Sequence, residues 1–115
     1  MGRRNRKRAK LELSPDEYRD GEGNVLALRG SLTAGARTEY AQTLASGLHR
    51  EDAHQRATEL LFERLAVSWT IAGLKLERQK EILGRYRMAS ASERAFVRDS
   101  LRAHVEDHFP ELEVP

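Results

Sequence analysis

The sequence contains no cysteine. That excludes a disulfide framework and any metal site built on thiolates. No apolar run approaches the roughly 20 residues that a membrane-spanning helix needs. The N-terminus lacks the apolar stretch of a secretory signal. A soluble, cytoplasmic protein is therefore expected, and 115 residues suit one small domain with a modest core. Catalytic motifs are missing too. No serine stands in a Gly-x-Ser-x-Gly context. The "GEG" of residues 21–23 lacks the lysine and the serine or threonine of a phosphate loop. Carboxylate pairs such as Glu59 and Glu63 are ordinary neighbours on a solvated helix face. The chain is thus read as non-enzymatic, with no cofactor.

What the chain does have is charge, unevenly placed. The opening "MGRRNRKRAK" holds Arg3, Arg4, Arg6, Lys7, Arg8 and Lys10 and no acidic residue. Without those six of its 20 basic residues, the rest has 14 against 18 acidic ones, a formal charge of about −4. The pattern is an acidic body with a cationic arm, expected to be disordered by itself. Those six side chains are candidates for sequence-blind contact with the phosphate backbone of DNA or RNA. The arm carries no aromatic residue and so offers no stacking platform. It could equally dock on an acidic protein surface. A second basic patch, "RYR" at residues 85–87, is expected in a loop between helices.

Residues 11–31 read as a strand and turn region. "SPDEY", residues 14–18, reads as a turn or a single helical turn. "DGEGN", residues 20–24, tolerates positive φ and reads as a hairpin turn leading into a short strand, "VLALR". Its partner would lie at Leu11–Leu13 or near Tyr18. Residues 33–109 read as helices. Thr33 can cap a helix that ends before Gly47, with Ala36, Tyr40 and Leu44 on one face. Asp52, with Gln55 three residues on, reads as a capping box for the next helix. "KLERQKEIL", residues 75–83, reads as a short helix closed by Gly84. Ser90 and Glu93 form a further capping box, opening a last helix from Ala91 to His108 that Pro110 stops. Its buried face would hold Phe96, Val97, Leu101, His104 and Val105.

The stretch "LAVSWTIAGL", residues 65–74, has no charge and holds the single tryptophan. The sequence before it is strongly helical, so it is expected to finish a central helix, with Gly73 as terminator. Against that, Val67, Trp69 and Ile71 alternate with Ser68 and Thr70, which is a strand period. No basic flank marks it as an interfacial membrane helix. Either Leu61, Leu65 and Trp69 belong to the core, or they stay open to a protein partner. The nearly all-round apolar character of residues 60–72 favours a dimer or larger assembly.

His104 and His108, four apart, point the same way on a helix, as two zinc-binding imidazoles must. Glu111 is a candidate third ligand. The plainer reading is a helix edge whose C-terminal histidines suit the helix dipole. His49 and His54 look like surface residues.

Taken in order, "GNVLALRGSLTAGARTEY", residues 23–40, and "VSWTIAG", residues 67–73, followed by a short and a long helix, resemble the small tail assembly chaperones and related tail-morphogenesis proteins of long-tailed phages. The cationic arm is not part of that pattern. The resemblance implies a non-enzymatic assembly factor in a bacterial host's cytoplasm. Its partners would be phage tail components, including the tape-measure protein. An apolar groove near Leu61, Leu65 and Trp69 would mask a sticky segment of the partner. The expected fold is mainly α: a three- to four-helix bundle-like body, preceded by a short β-hairpin or strand pair, behind the disordered arm.

Overall fold

The computed structural model describes residues 14–47 and 49–114. The basic residues of the arm, Arg3 to Lys10, and the strand candidate Leu11–Leu13 lie outside them. Among the described residues the chain forms four helices and one four-stranded antiparallel sheet. The expected helical bundle is therefore corrected to an α+β fold.

The first hairpin joins β1 (Asp16–Arg19) to β2 (Val25–Leu28), with Tyr18 opposite Leu26. The "SPDEY" stretch is thus extended from Asp16 onward and not a helical turn. Asp20 organises the connection. Its carboxylate accepts from the amides of Glu22 and Asn24, both at 2.9 Å, and from the Asn24 side chain at 2.7 Å. Partial burial works against the ionised form, but these donors outweigh it and hold the Asp20 carboxyl below its usual value. Gly23 takes the positive φ that the turn requires.

Helix α1 (Ala34–Ala45) starts at the Thr33 cap, whose hydroxyl accepts from the Ala36 amide, and buries Ala36 and Tyr40. Helix α2 (Arg50–Leu65) starts at His49, with no side-chain cap. Asp52 therefore sits inside the first turn, where it pairs with Arg56 at 3.4 Å, and the expected capping box does not form. Helix α2 buries Ala53, Ala57, Leu61, Phe62 and Leu65.

The uncharged stretch then leaves the helix. Ala66–Ile71 is β3, paired with β2 on one side and with β4 (Leu74–Leu76) on the other. The central-helix reading fails here because β2 is buried over Leu26–Leu28 and pairs its second edge with this stretch, where water could not satisfy the backbone. Trp69 faces Leu26 and Leu76, so Tyr18, Leu26, Trp69 and Leu76 form one row across all four strands. A register shift between Ala27 and Leu28 lets Ala66 and Trp69 both be buried although they are three residues apart. Gly73 ends no helix. With Ala72 it makes the two-residue turn between β3 and β4, both at positive φ. The Ala72 amide donates to the Asn24 side chain at 3.1 Å and ties the two hairpin ends together.

Lys75 and Leu76 accordingly belong to a strand. Helix α3 (Gln79–Arg87) follows, and runs through Gly84. Burial of Ile82 and Tyr86, one turn apart, carries it past the glycine, and "RYR" becomes its last turn and not a loop. Helix α4 (Ala91–His108) has the full reciprocal capping box of Ser90 and Glu93. The amide of Ser90 and the guanidinium of Arg85 keep the Glu93 carboxyl below its usual value. Val97, Leu101, His104 and Val105 are buried on α4, and Phe96 is half-buried. Phe62 joins helices to sheet, its ring edge-on to Trp69 at 5.6 Å and tilted against Tyr86 at 5.2 Å. Among the described residues no helix is long and apolar enough to cross a membrane.

Candidate functional site

Leu61, Leu65 and Trp69 are at most 1% exposed. They are core, and the apolar face expected for a partner is closed by the sheet and helices around it. No surface for masking a partner is available at these residues.

An open groove lies elsewhere, between α2, the end of α3 and the outer face of α4. Its volume is about 570 Å³, and it is lined by His54, Gln55, Thr58, Glu59, Tyr86, Arg87, Arg94, Arg98 and Arg102. Arg94, Arg98 and Arg102 follow one another at four-residue steps, so α4 presents them as a single row. Arg87 stands on another wall, at the end of α3. Glu59 is the one carboxylate in the lining, and it accepts from Arg87 at 2.8 Å. Arg94 donates to the carbonyls of Tyr86 at 3.3 Å and Arg87 at 2.6 Å, which satisfies the open end of α3. Arg102 pairs with Asp99 at 3.6 Å across an exposed turn. Tyr86 forms part of the wall with its ring under the Arg94 guanidinium at 5.9 Å. Burial raises its hydroxyl pKa, against the pull of Arg98 and Arg94. The row was legible in the sequence as Arg-x-x-x-Arg-x-x-x-Arg, but neither the apolar face nor the arm pointed to it.

The predicted histidine pair does converge, on a residue that was not expected. On the side of α4 that faces β1, Asp16 meets both rings. His108 Nε2 lies 2.5 Å from Asp16 Oδ2, and His104 Nδ1 lies 3.7 Å from the same oxygen. Tyr18, on the same strand, donates its hydroxyl to His104 Nδ1 at 2.8 Å, and the Arg29 carbonyl accepts from His104 Nε2 at 2.7 Å. Burial lowers the His104 pKa, with the Arg29 hydrogen bond opposing it. Burial, reinforced by the charges of Asp16 and Asp107, pushes the Tyr18 hydroxyl up to about 12. Glu111 takes no part: it pairs with Arg37 at 2.8 Å. No sequence signal pairs Asp16 with residues about ninety positions away.

Compared with protein-family models, with curated proteins and with solved structures, the chain matches none of them.

Proposed function

We propose that the protein is a non-enzymatic interaction protein that binds the phosphate backbone of a nucleic acid along the α4 groove. The observation that carries this reading is the row Arg94, Arg98 and Arg102 with Arg87 on a second wall of the same groove. A row of cations at helical spacing suits a linear polyanion better than a single small anion. The body as a whole is acidic, so the groove is a local positive feature on a negative background. That arrangement orients a polyanion and does not merely attract it. Arg3, Arg4, Arg6, Lys7, Arg8 and Lys10 would add a second, sequence-blind contribution. The assembly-factor role implied by the phage resemblance belongs to the same broad class. It would require a protein-binding face other than Leu61, Leu65 and Trp69, because these are buried.

The test is fluorescence anisotropy of labelled duplex DNA and of RNA across a salt series. Three chains are compared: the full chain, the Arg98→Glu/Arg102→Glu variant, and a chain lacking residues 1–10. The full chain should bind with steep salt dependence, and the double variant should lose roughly tenfold or more in affinity. Unchanged binding by the double variant, with loss on removing residues 1–10, would transfer the role to the arm alone. Absence of binding by the full chain at low salt would end the nucleic-acid reading.

A further inference from the structure

The cluster where α4 faces β1 has no part in the groove. Its chemistry is that of a point ligand. His104 is fully buried, and its Nε2 faces a backbone carbonyl, which can only accept. With its proton on Nε2, His104 presents Nδ1 as an acceptor, which takes the Tyr18 hydroxyl at 2.8 Å. Metal-binding histidines are commonly held this way: one nitrogen donates to a carbonyl or carboxylate and the other is presented to the ion. His104 Nδ1 also lies 3.7 Å from Asp16 Oδ2. His108 Nε2 reaches that same oxygen, and Asp107 Oδ2 lies 3.6 Å from His108 Nε2. A strut holding β1 to α4 would need one histidine on the carboxylate. Here two imidazoles converge on a single oxygen, and two carboxylates surround them.

From this geometry we infer that Asp16, His104 and His108 form a binding site for one divalent cation of the zinc class. One donor atom from each of the three residues lies within 4.8 Å of the other two. Ligand distances of about 2.0–2.2 Å in a tetrahedral site place donors roughly 3.3–3.5 Å apart. The 3.7 Å pair already fits that spacing closely. The 2.5 Å pair has to open by about 1 Å. Asp16 can supply that movement, because it begins an edge strand and its side chain is 45% exposed. Two imidazoles and one carboxylate favour zinc, copper or nickel over magnesium or calcium, which prefer oxygen donors. Three protein ligands leave a fourth position for water.

Binding follows from simple proton bookkeeping. His104, whose Nε2 proton is held by the Arg29 carbonyl, gives Nδ1 once the Tyr18 hydroxyl turns away from it. His108 must free Nε2, either by moving its proton to Nδ1 or by releasing it to solvent. Asp16 coordinates as the carboxylate. Zinc uptake therefore weakens as pH falls and histidines take up protons.

The experiment is calorimetric titration of the full chain with zinc chloride, beside Asp16→Ala, His108→Ala and His54→Ala variants. His54 lines the arginine groove and serves as the control. The unsubstituted chain should bind one zinc per chain in the micromolar range or tighter. The Asp16 and His108 variants should each lose at least roughly tenfold, and the His54 variant should match the unsubstituted chain. Histidine-ring NMR of the unsubstituted chain gives a reading that does not depend on variants folding. Zinc should shift two of the four histidines, those at 104 and 108. No zinc binding by the unsubstituted chain overturns the inference. So does binding that survives both ligand substitutions, or zinc shifts confined to His49 and His54.

Discussion

The arginine groove and the histidine cluster are carried by the same helix and built in opposite ways. The groove side of α4 presents long side chains of one sign, mostly exposed, that reach Tyr86, the carbonyl of Arg87 and the carboxylate of Asp99. The cluster side presents short rings packed against each other, with centroids 4.3 Å apart, and locked by hydrogen bonds to two other segments. Exposed cations act nearly independently, so a groove of this kind tolerates rearrangement and reads charge along a line. Buried, mutually bonded groups act as a unit, and in this cluster the exposed Asp16 carboxylate is the member with room to shift. One helix can therefore present a soft electrostatic surface and a point site without either interfering with the other.

That contrast can be broken by experiment. The largest effect should come from His104→Ala. It removes a fully buried ring and strands the Arg29 carbonyl and the Tyr18 hydroxyl, so urea unfolding should report a loss of about 2–4 kcal/mol. A loss under about 1 kcal/mol would mean the cluster is no more coupled than the groove. The pH profile sharpens the same point. The folded pKa of His104 lies below its unfolded value of 6.5, so its contribution is fully present above about pH 6.5. It is lost as pH falls through the lower folded value. Tyr18 has the opposite sign: its contribution is present below pH 10 and disappears as pH rises through about 12. Thermal melts of the unsubstituted chain and of Tyr18→Phe, from acid to alkaline pH, should separate the two.

A smaller effect is expected at the start of the shared helix. Ser90→Ala removes the cap of α4 and should cost about 1 kcal/mol in denaturant unfolding. The salt slope of nucleic-acid binding should not change. A changed slope would show that the arginine row depends on how the helix begins. The smallest stability effect belongs to Arg98→Ala/Arg102→Ala, within about 0.5 kcal/mol of the unsubstituted chain. Its salt slope for nucleic-acid binding should nevertheless fall by about 2, one for each arginine. A stability loss comparable to that of His104→Ala would erase the distinction between the two sides.

The legibility of these regions followed the range of their causes. Helix α4 was readable from Ala91 to His108, because its cap, its apolar period and its stop at Pro110 all act within a few residues. The Thr33 cap and the turn at Asp20–Asn24 were readable for the same reason. The arginine row was visible as spacing, but its meaning as a groove required Arg87 and Tyr86 to arrive from α3.

Local sequence thus determined where α1 and α4 begin and end, that residues 20–24 turn, and that His104 and His108 share a helix side. Capping, glycine geometry and helical period are properties of neighbouring residues, and they need no partner. Only the tertiary structure decided that residues 66–71 are a strand, that Trp69 is core, and that Asp16 meets the two histidines. A strand is completed by hydrogen bonds to distant backbone, here β2 about forty residues earlier. The Asp16–His108 contact closes a separation of 92 residues, and no local pattern encodes which carboxylate will arrive there.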